Sequence, residues 1–107
     1  MENSEIEGIL GSAYAFIEKN SIRGSSSVED VMEVSPHTHS LDSVLIAIYG
    51  MRNVVGDEIT KLLETRILDL RNEIDVLSFM YTADEEALSR ASKAKEDITS
   101  LIRTHYT

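Results

Sequence analysis

The stretch DEITKLLETRILDLRNEIDVLSFMYTADEEALSRASKAKEDITSLI (Asp57 to Ile102) decides the fold. Leu63, Ile67, Leu70, Ile74, Leu77, Tyr81, Leu88, Ala91, Ile98 and Ile102 recur at alternating steps of four and three. That spacing is a heptad seam, the pattern of a helix that buries one narrow stripe against other helices. Asp84 and Lys95 fall on the seam and interrupt it. Opposite charges four apart, Asp57/Lys61, Arg71/Asp75, Glu86/Arg90 and Lys93/Asp97, mark the other face as solvated.

Upstream, Leu41, Val44, Leu45, Ile46, Ile48, Tyr49, Met51, Val54 and Val55 occupy more than one helix face, which predicts burial on several sides. Ser40 is the expected cap, so a long helix is predicted over 41–103. It would be about 95 Å long if continuous. Thr82-Ala-Asp-Glu85 is a capping-box match that allows a kink or break near 81–84. No glycine or proline forces a break there, and continuity or a kink is favoured. Gly50 and Gly56 mark close helix packing or a bend.

At the other end, Ser4-Glu-Ile-Glu7 is also a capping box. Ile6, Ile9, Leu10, Ala13, Phe16 and Ile17 place one apolar stripe on a helix over 5–19, with Asn20 as its stop. Gly8 and Gly11 weaken this helix or admit a close neighbour. Between the two helices, NSIRGSSS and SPHTHS are turn chemistry, and Pro36 disfavours a helical Ser35. Residues 20–40 therefore read as an irregular linker, with a short helix over 27–34 capped by Ser26 or Ser27. The fold class is all-α: one domain over 1–107, a helical hairpin or bundle completed by another chain.

The chain has 107 residues and a net charge of -9, with 19 acidic residues against 10 basic ones. Binding a phosphate backbone needs a clustered positive footprint, and the basic residues are scattered, so nucleic acid is excluded as a main partner. There is no cysteine, which excludes disulfides, thiolate metal sites and cysteine nucleophiles. No apolar run approaches the ~20 residues that span a bilayer. The N-terminus, MENSEIEGILGS, lacks the basic and apolar regions of a cleaved signal. The expected location is the cytoplasm, or outside the cell by a route without a cleaved signal peptide.

His37 and His39 form an H-x-H pair, but no second ligand pair accompanies them, so they read as polar loop residues and no metal site is expected. No nucleophile elbow, phosphate-binding glycine loop or metalloprotease helix motif occurs, and neither an enzyme activity nor a cofactor is expected. A helix-turn-helix outline over 27–51 fails, because Leu41–Gly50 offers no Arg, Lys, Asn or Gln to read bases. Met32, Met51, Met80, Tyr14, Tyr49 and Tyr81 read mostly as core filling.

Tyr81-Thr82-Ala83-Asp84-Glu85 matches Y-x-x-x-[D/E]. It resembles the export signal of the small WXG-type (ESX) helical-hairpin proteins of type VII secretion. Those proteins are likewise acidic, cysteine-free and about 100 residues long. The resemblance implies that Tyr81 and Glu85 form a surface patch read during export. The family's tryptophan turn is absent, and IYGM at 48–51 lies inside an apolar helix. The expected function is a small, acidic, non-catalytic protein-interaction subunit, a homodimer or helical heteromer. Its interface is Leu63, Ile67, Leu70, Ile74, Leu77, Tyr81 and Leu88. The alternative is a type VII secreted protein or secretion partner.

Overall fold

The computed structural model describes residues 1–23, 28–80 and 83–106, with side chains described for 1–20, 34–77 and 83–106. The described residues form helices and no strand, so the protein is an all-α bundle. In chain order the helices are α1 (Asn3–Arg23), α2 (Val28–Gly50), α3 (Arg52–Val55), α4 (Asp57–Met80) and α5 (Glu85–His105).

Side-chain pairs set the register of the long helices. Asp42–Arg71 and Tyr49–Glu64 run in opposite chain directions, so α2 and α4 are antiparallel. Arg66–Asp97 and Glu73–Arg90 show the same for α4 and α5, and Glu7–Arg103 with Asn3–Tyr106 for α1 and α5. The Phe16 and His37 rings stack at 4.7 Å between α1 and α2. The result is an up-down-up-down bundle in the ring order α1, α2, α4, α5, with α4 also touching α1 across the centre. Its extents, 42 × 23 × 20 Å, match helices of about 24 residues at ~1.5 Å per residue.

The seam closes inside one chain. Leu63, Ile67, Leu70 and Ile74 are fully buried and Leu77 nearly so, packed with Ile6, Leu10, Ile17, Leu41, Ile48, Ile98 and Ile102. α1, α2 and α5 of the same chain cover the stripe that a partner was expected to cover. The physical reason is the reversal between Met80 and Glu85, which splits the predicted 41–103 helix. Asp84 makes that break. Its backbone is extended (φ -83, ψ 178), and its side chain accepts a hydrogen bond from Ala87 N at 2.8 Å. Glu85 and Glu86 then add negative charge to the first turn. Thr82, the expected cap, lies outside the described residues. Lys95, the other interruption, sits with Nζ 5.1 Å from the centroid of the Tyr14 ring, a cation–π contact across α1 and α5.

The linker is also corrected. Residues 20–23 continue α1, and α2 starts at Val28 and runs through Pro36. Asn20 is buried, and its side-chain amide donates to Phe16 O at 2.8 Å, so it continues the helix instead of stopping it. Proline inside a helix removes a hydrogen bond and costs ~3 kcal/mol. Burial of Val34, Thr38, Leu41, Val44 and Ile48 at helical spacing offsets that cost. The hydroxyls of Thr38 and Ser40 donate back to Ser35 O and Pro36 O, at 2.9 and 3.0 Å. Ser40 is thus interior to α2 rather than a cap; Ser26 and Ser27 lie outside the described residues.

The long helix breaks a second time after Gly50. The short α3 follows, and Gly56 takes φ +93, a conformation that L side chains rarely adopt. Close packing is not the role of the described glycines. A Cβ added at Gly8, Gly11, Gly50 or Gly56 would meet nothing within 4 Å.

Candidate interaction surface

The α2/α4 outer face is held by two links. Arg71 Nη1 lies 3.1 Å from Asp42 Oδ1, and the Tyr49 hydroxyl donates to Glu64 Oε2. That hydrogen bond, with desolvation and the nearby carboxylate charge, raises the Tyr49 phenol above its ordinary pKa of 10.0. Ile46 stands one turn from both Asp42 and Tyr49, and Leu68 one turn from both Glu64 and Arg71. The register therefore sets Ile46 and Leu68 at one level between the links. Neither is covered: Ile46 is 72% exposed, Leu68 40% and Tyr49 46%. Toward α3 the exposed apolar series continues with Met51 and Val54.

This overturns the reading that residues 41–55 are buried on several sides and that Tyr49 and Met51 fill the core. Leu41, Val44 and Ile48 face inward with Leu45 packed against the core, while Ile46, Tyr49, Met51 and Val54 face out. The signal was present as an apolar excess larger than one stripe can hold. Tyr14 is half-buried, and the side chains of Met32, Met80 and Tyr81 lie outside those described.

The α4/α5 and α1/α5 faces are bridged by charge, with Leu62 and Val76 of α4 also exposed. Between α4 and α5 a groove of about 370 Å³ is lined by Arg66, Asp69, Glu73, Arg90, Lys93 and Asp97. Arg66 pairs with Asp97 and Asp69, both at 3.2 Å, and Arg90 with Glu73 at 2.6 Å. The Glu73 carboxylate accordingly raises the Arg90 pKa. Arg103 pairs with Glu7 at 2.6 Å across α1 and α5. Of the pairs expected along single helices, Arg71–Asp75 is long at 3.9 Å and Glu86–Arg90 longer at 4.0 Å. Asp57 pairs with Arg52, and Asp97 with Arg66, in place of the expected lysines.

Among the expected interface residues, Leu63, Ile67, Leu70, Ile74 and Leu77 lie in the core and Leu88 at its edge. Tyr81 lies outside the described residues. Glu85, the other half of the expected export signal, is exposed in the first turn of α5. His37 and His39 lie on a helix, not in a loop; His37 stacks on Phe16 and His39 is exposed. Among the described residues no group of three or more His, Cys, Asp or Glu could hold a metal ion. No described helix is long and apolar enough to cross a membrane.

Fold and surface together define a small acidic helical bundle whose α2/α4 outer face exposes Ile46, Tyr49 and Leu68. Comparison of the chain with family models, curated proteins and solved structures gives no match.

Proposed function

We propose that this chain is a non-catalytic protein-interaction subunit that works through the outer face of α2 and α4. The observation that carries the reading is the alignment of Ile46, Leu68 and Tyr49, exposed at one level between two cross-helix links. Fully covering an isoleucine or leucine contributes about 1.5–3 kcal/mol. Most of that remains unrealised at Ile46 in the single chain. The rigid links mean that a partner meets a preformed surface and orders few side chains on binding.

A photo-crosslinking residue at position 46, compared with one at the exposed Ser89 of α5, tests this in cells. Protein adducts specific to position 46 are expected. Equal adducts at both positions, or none, would refute it.

A second reading, export by a type VII-like route, draws on exposed Glu85 at the start of α5. In a host with such a system, Tyr81→Ala with Glu85→Gln should block export and leave the fold intact. Undiminished export would remove this reading.

A further inference from the structure

We propose that this chain exchanges α5 with a second copy of itself. In the exchanged dimer α4 and α5 join into one continuous helix over 57–105, and each α5 takes its usual place in the other copy's bundle. The exchange adds no contact to the seam. It changes only which chain supplies α5.

The phase of the two helices carries the inference. Leu63, Leu70, Leu77, Asp84, Ala91 and Ile98 are seven apart, and all but Asp84 are buried. Ile67, Ile74 and Ile102 fall on multiples of the same interval in a second buried row. A turn that only reverses the chain leaves the next helix free to start at any phase. Here the buried stripe of α5 lies where a straight continuation of α4 would put it, at the 3.5-residue period of paired helices. The residues from Tyr81 to Asp84 include neither glycine nor proline, so their composition does not forbid a helix. Asp84 holds the break through its bond to Ala87 N.

The register agrees with the phase. Arg66 pairs with Asp97 at 3.2 Å and Glu73 with Arg90 at 2.6 Å, both across α4 and α5. Each pair lies symmetrically about the step from Tyr81 to Thr82. A two-fold axis at that step therefore rebuilds both pairs between two antiparallel continuous helices. Glu7–Arg103 and Asn3–Tyr106 pass between chains in the same way, since α5 packs on α1 as well as on α4. The segment that fills the vacated place is another α5, so each of these contacts is kept.

α5 is also the long helix most easily given up. Its first half buries only Ala87, Ala91 and Ala94, with Leu88 at the edge, and isoleucine enters at Ile98 and Ile102. α4 buries Leu63, Ile67, Leu70, Ile74 and Leu77. Burial stabilises in proportion to the apolar area covered, so α5 is held less firmly than α4. Each half of the dimer keeps α2 and α4 of one chain, and the exchanged particle carries their outer face twice.

The test unfolds the full chain and refolds it at micromolar and at millimolar concentration in physiological salt, where a screening length of ~8 Å lets two chains of net charge -9 approach. Size-exclusion chromatography with light scattering then reads the mass. Dilute refolding should give the 12.0 kDa monomer, and concentrated refolding should add an elongated dimer of twice that mass. Asp84→Leu should raise the association constant about tenfold or more, since the cap is lost in both chains. Glu85→Pro should stay monomeric with unchanged helicity: proline suits the first position of α5, and the extended Asp84 suits the residue before it, but proline breaks a continuous helix. A mixture identifies the exchanged segment. One chain carries Arg66→Asp with Glu73→Arg, the other Arg90→Glu with Asp97→Arg. Each alone sets like charges across α4 and α5, whereas exchange between the two restores every pair. Refolded together at millimolar concentration, they should form more mixed dimer than both homodimers combined, and circular dichroism should show both chains folded. A wild type that stays monomeric after concentrated refolding would overturn the proposal. So would a dimer that survives Glu85→Pro, or a mixture with no excess of the mixed dimer. The reading of the α2/α4 face is decided separately, by crosslinking at position 46.

Discussion

Leu70→Ala separates a seam that closes within one chain from a seam that joins two. Leu70 is fully buried at the middle of α4, in one row with Leu63, Ile67, Ile74 and Leu77. Truncating a fully buried leucine removes its transfer energy and leaves a cavity, together about 2–5 kcal/mol. A domain of this size is stable by ~5–15 kcal/mol in all, so the loss is a large share. At about 4–8 °C per kcal/mol, the midpoint of thermal unfolding should fall by at least ~8 °C. Leu68→Ala, two residues away and 40% exposed, is the matched control and should change stability by no more than ~0.5 kcal/mol. Helix ellipticity followed through urea and heat, with mass measured in parallel, reads both quantities. The expected result is a large destabilisation for Leu70→Ala at every protein concentration. If Leu70→Ala instead lowered the mass and left the unfolding of the isolated chain unchanged, the seam would join two chains, and the core assignment would fail.

Other outcomes follow from the same packing. Gly8→Ala and Gly11→Ala have room for the added Cβ and should each stabilise by about 0.5–1 kcal/mol, whereas Gly56→Ala, held at φ +93, should cost about 1–2 kcal/mol; urea midpoints give all three. Asp84→Ala should lose about 0.5–2 kcal/mol with its cap, and amide exchange should quicken in the first turn of α5 before the rest of the helix. Among the described residues the buried Tyr106 hydroxyl has no hydrogen-bond partner, and burial raises its pKa above the ordinary 10.0. Its folded pKa therefore exceeds its unfolded one. The associated stability is fully present below the unfolded value and is lost as pH rises through the folded value, so Tyr106→Phe should lose less stability than the wild type above ~pH 10. At neutral pH that variant should be as stable as the wild type or better, because it removes a hydroxyl that makes no hydrogen bond.

The fold class was legible because heptad spacing on α4 is a repeated signal that no single residue can obscure. The reversal before α5 was harder. A helix break is usually announced by glycine or proline, and residues 81–84 contain neither. The cue was Asp84, whose short carboxylate satisfies Ala87 N, followed directly by two glutamates. On the seam it looked like an interruption of one helix; it is the N-cap of the next. The linker failed for the opposite reason. Pro36 and the serines around it are local breakers, but tertiary burial outweighed them. The spacing of Val34, Thr38, Leu41, Val44 and Ile48 already ran through the proline.

The candidate surface shows where the association argument went astray and what survives of it. Regular apolar spacing says only that a stripe will be covered, not by which molecule. Once Asp84 turns the chain back, α5 and α1 cover the α4 seam, and the seam no longer calls for a partner. What needs explaining is the apolar surface left over. Ile46 and Leu68 lie outside the buried stripes of their helices, so core packing gives no reason for them. The Asp42–Arg71 and Tyr49–Glu64 links hold them side by side on a fixed face. The case for association thus passes from residues at heptad positions to residues off them. That change is testable: substitutions on the seam should unfold the chain, and substitutions at Ile46 and Leu68 should leave it folded and alone.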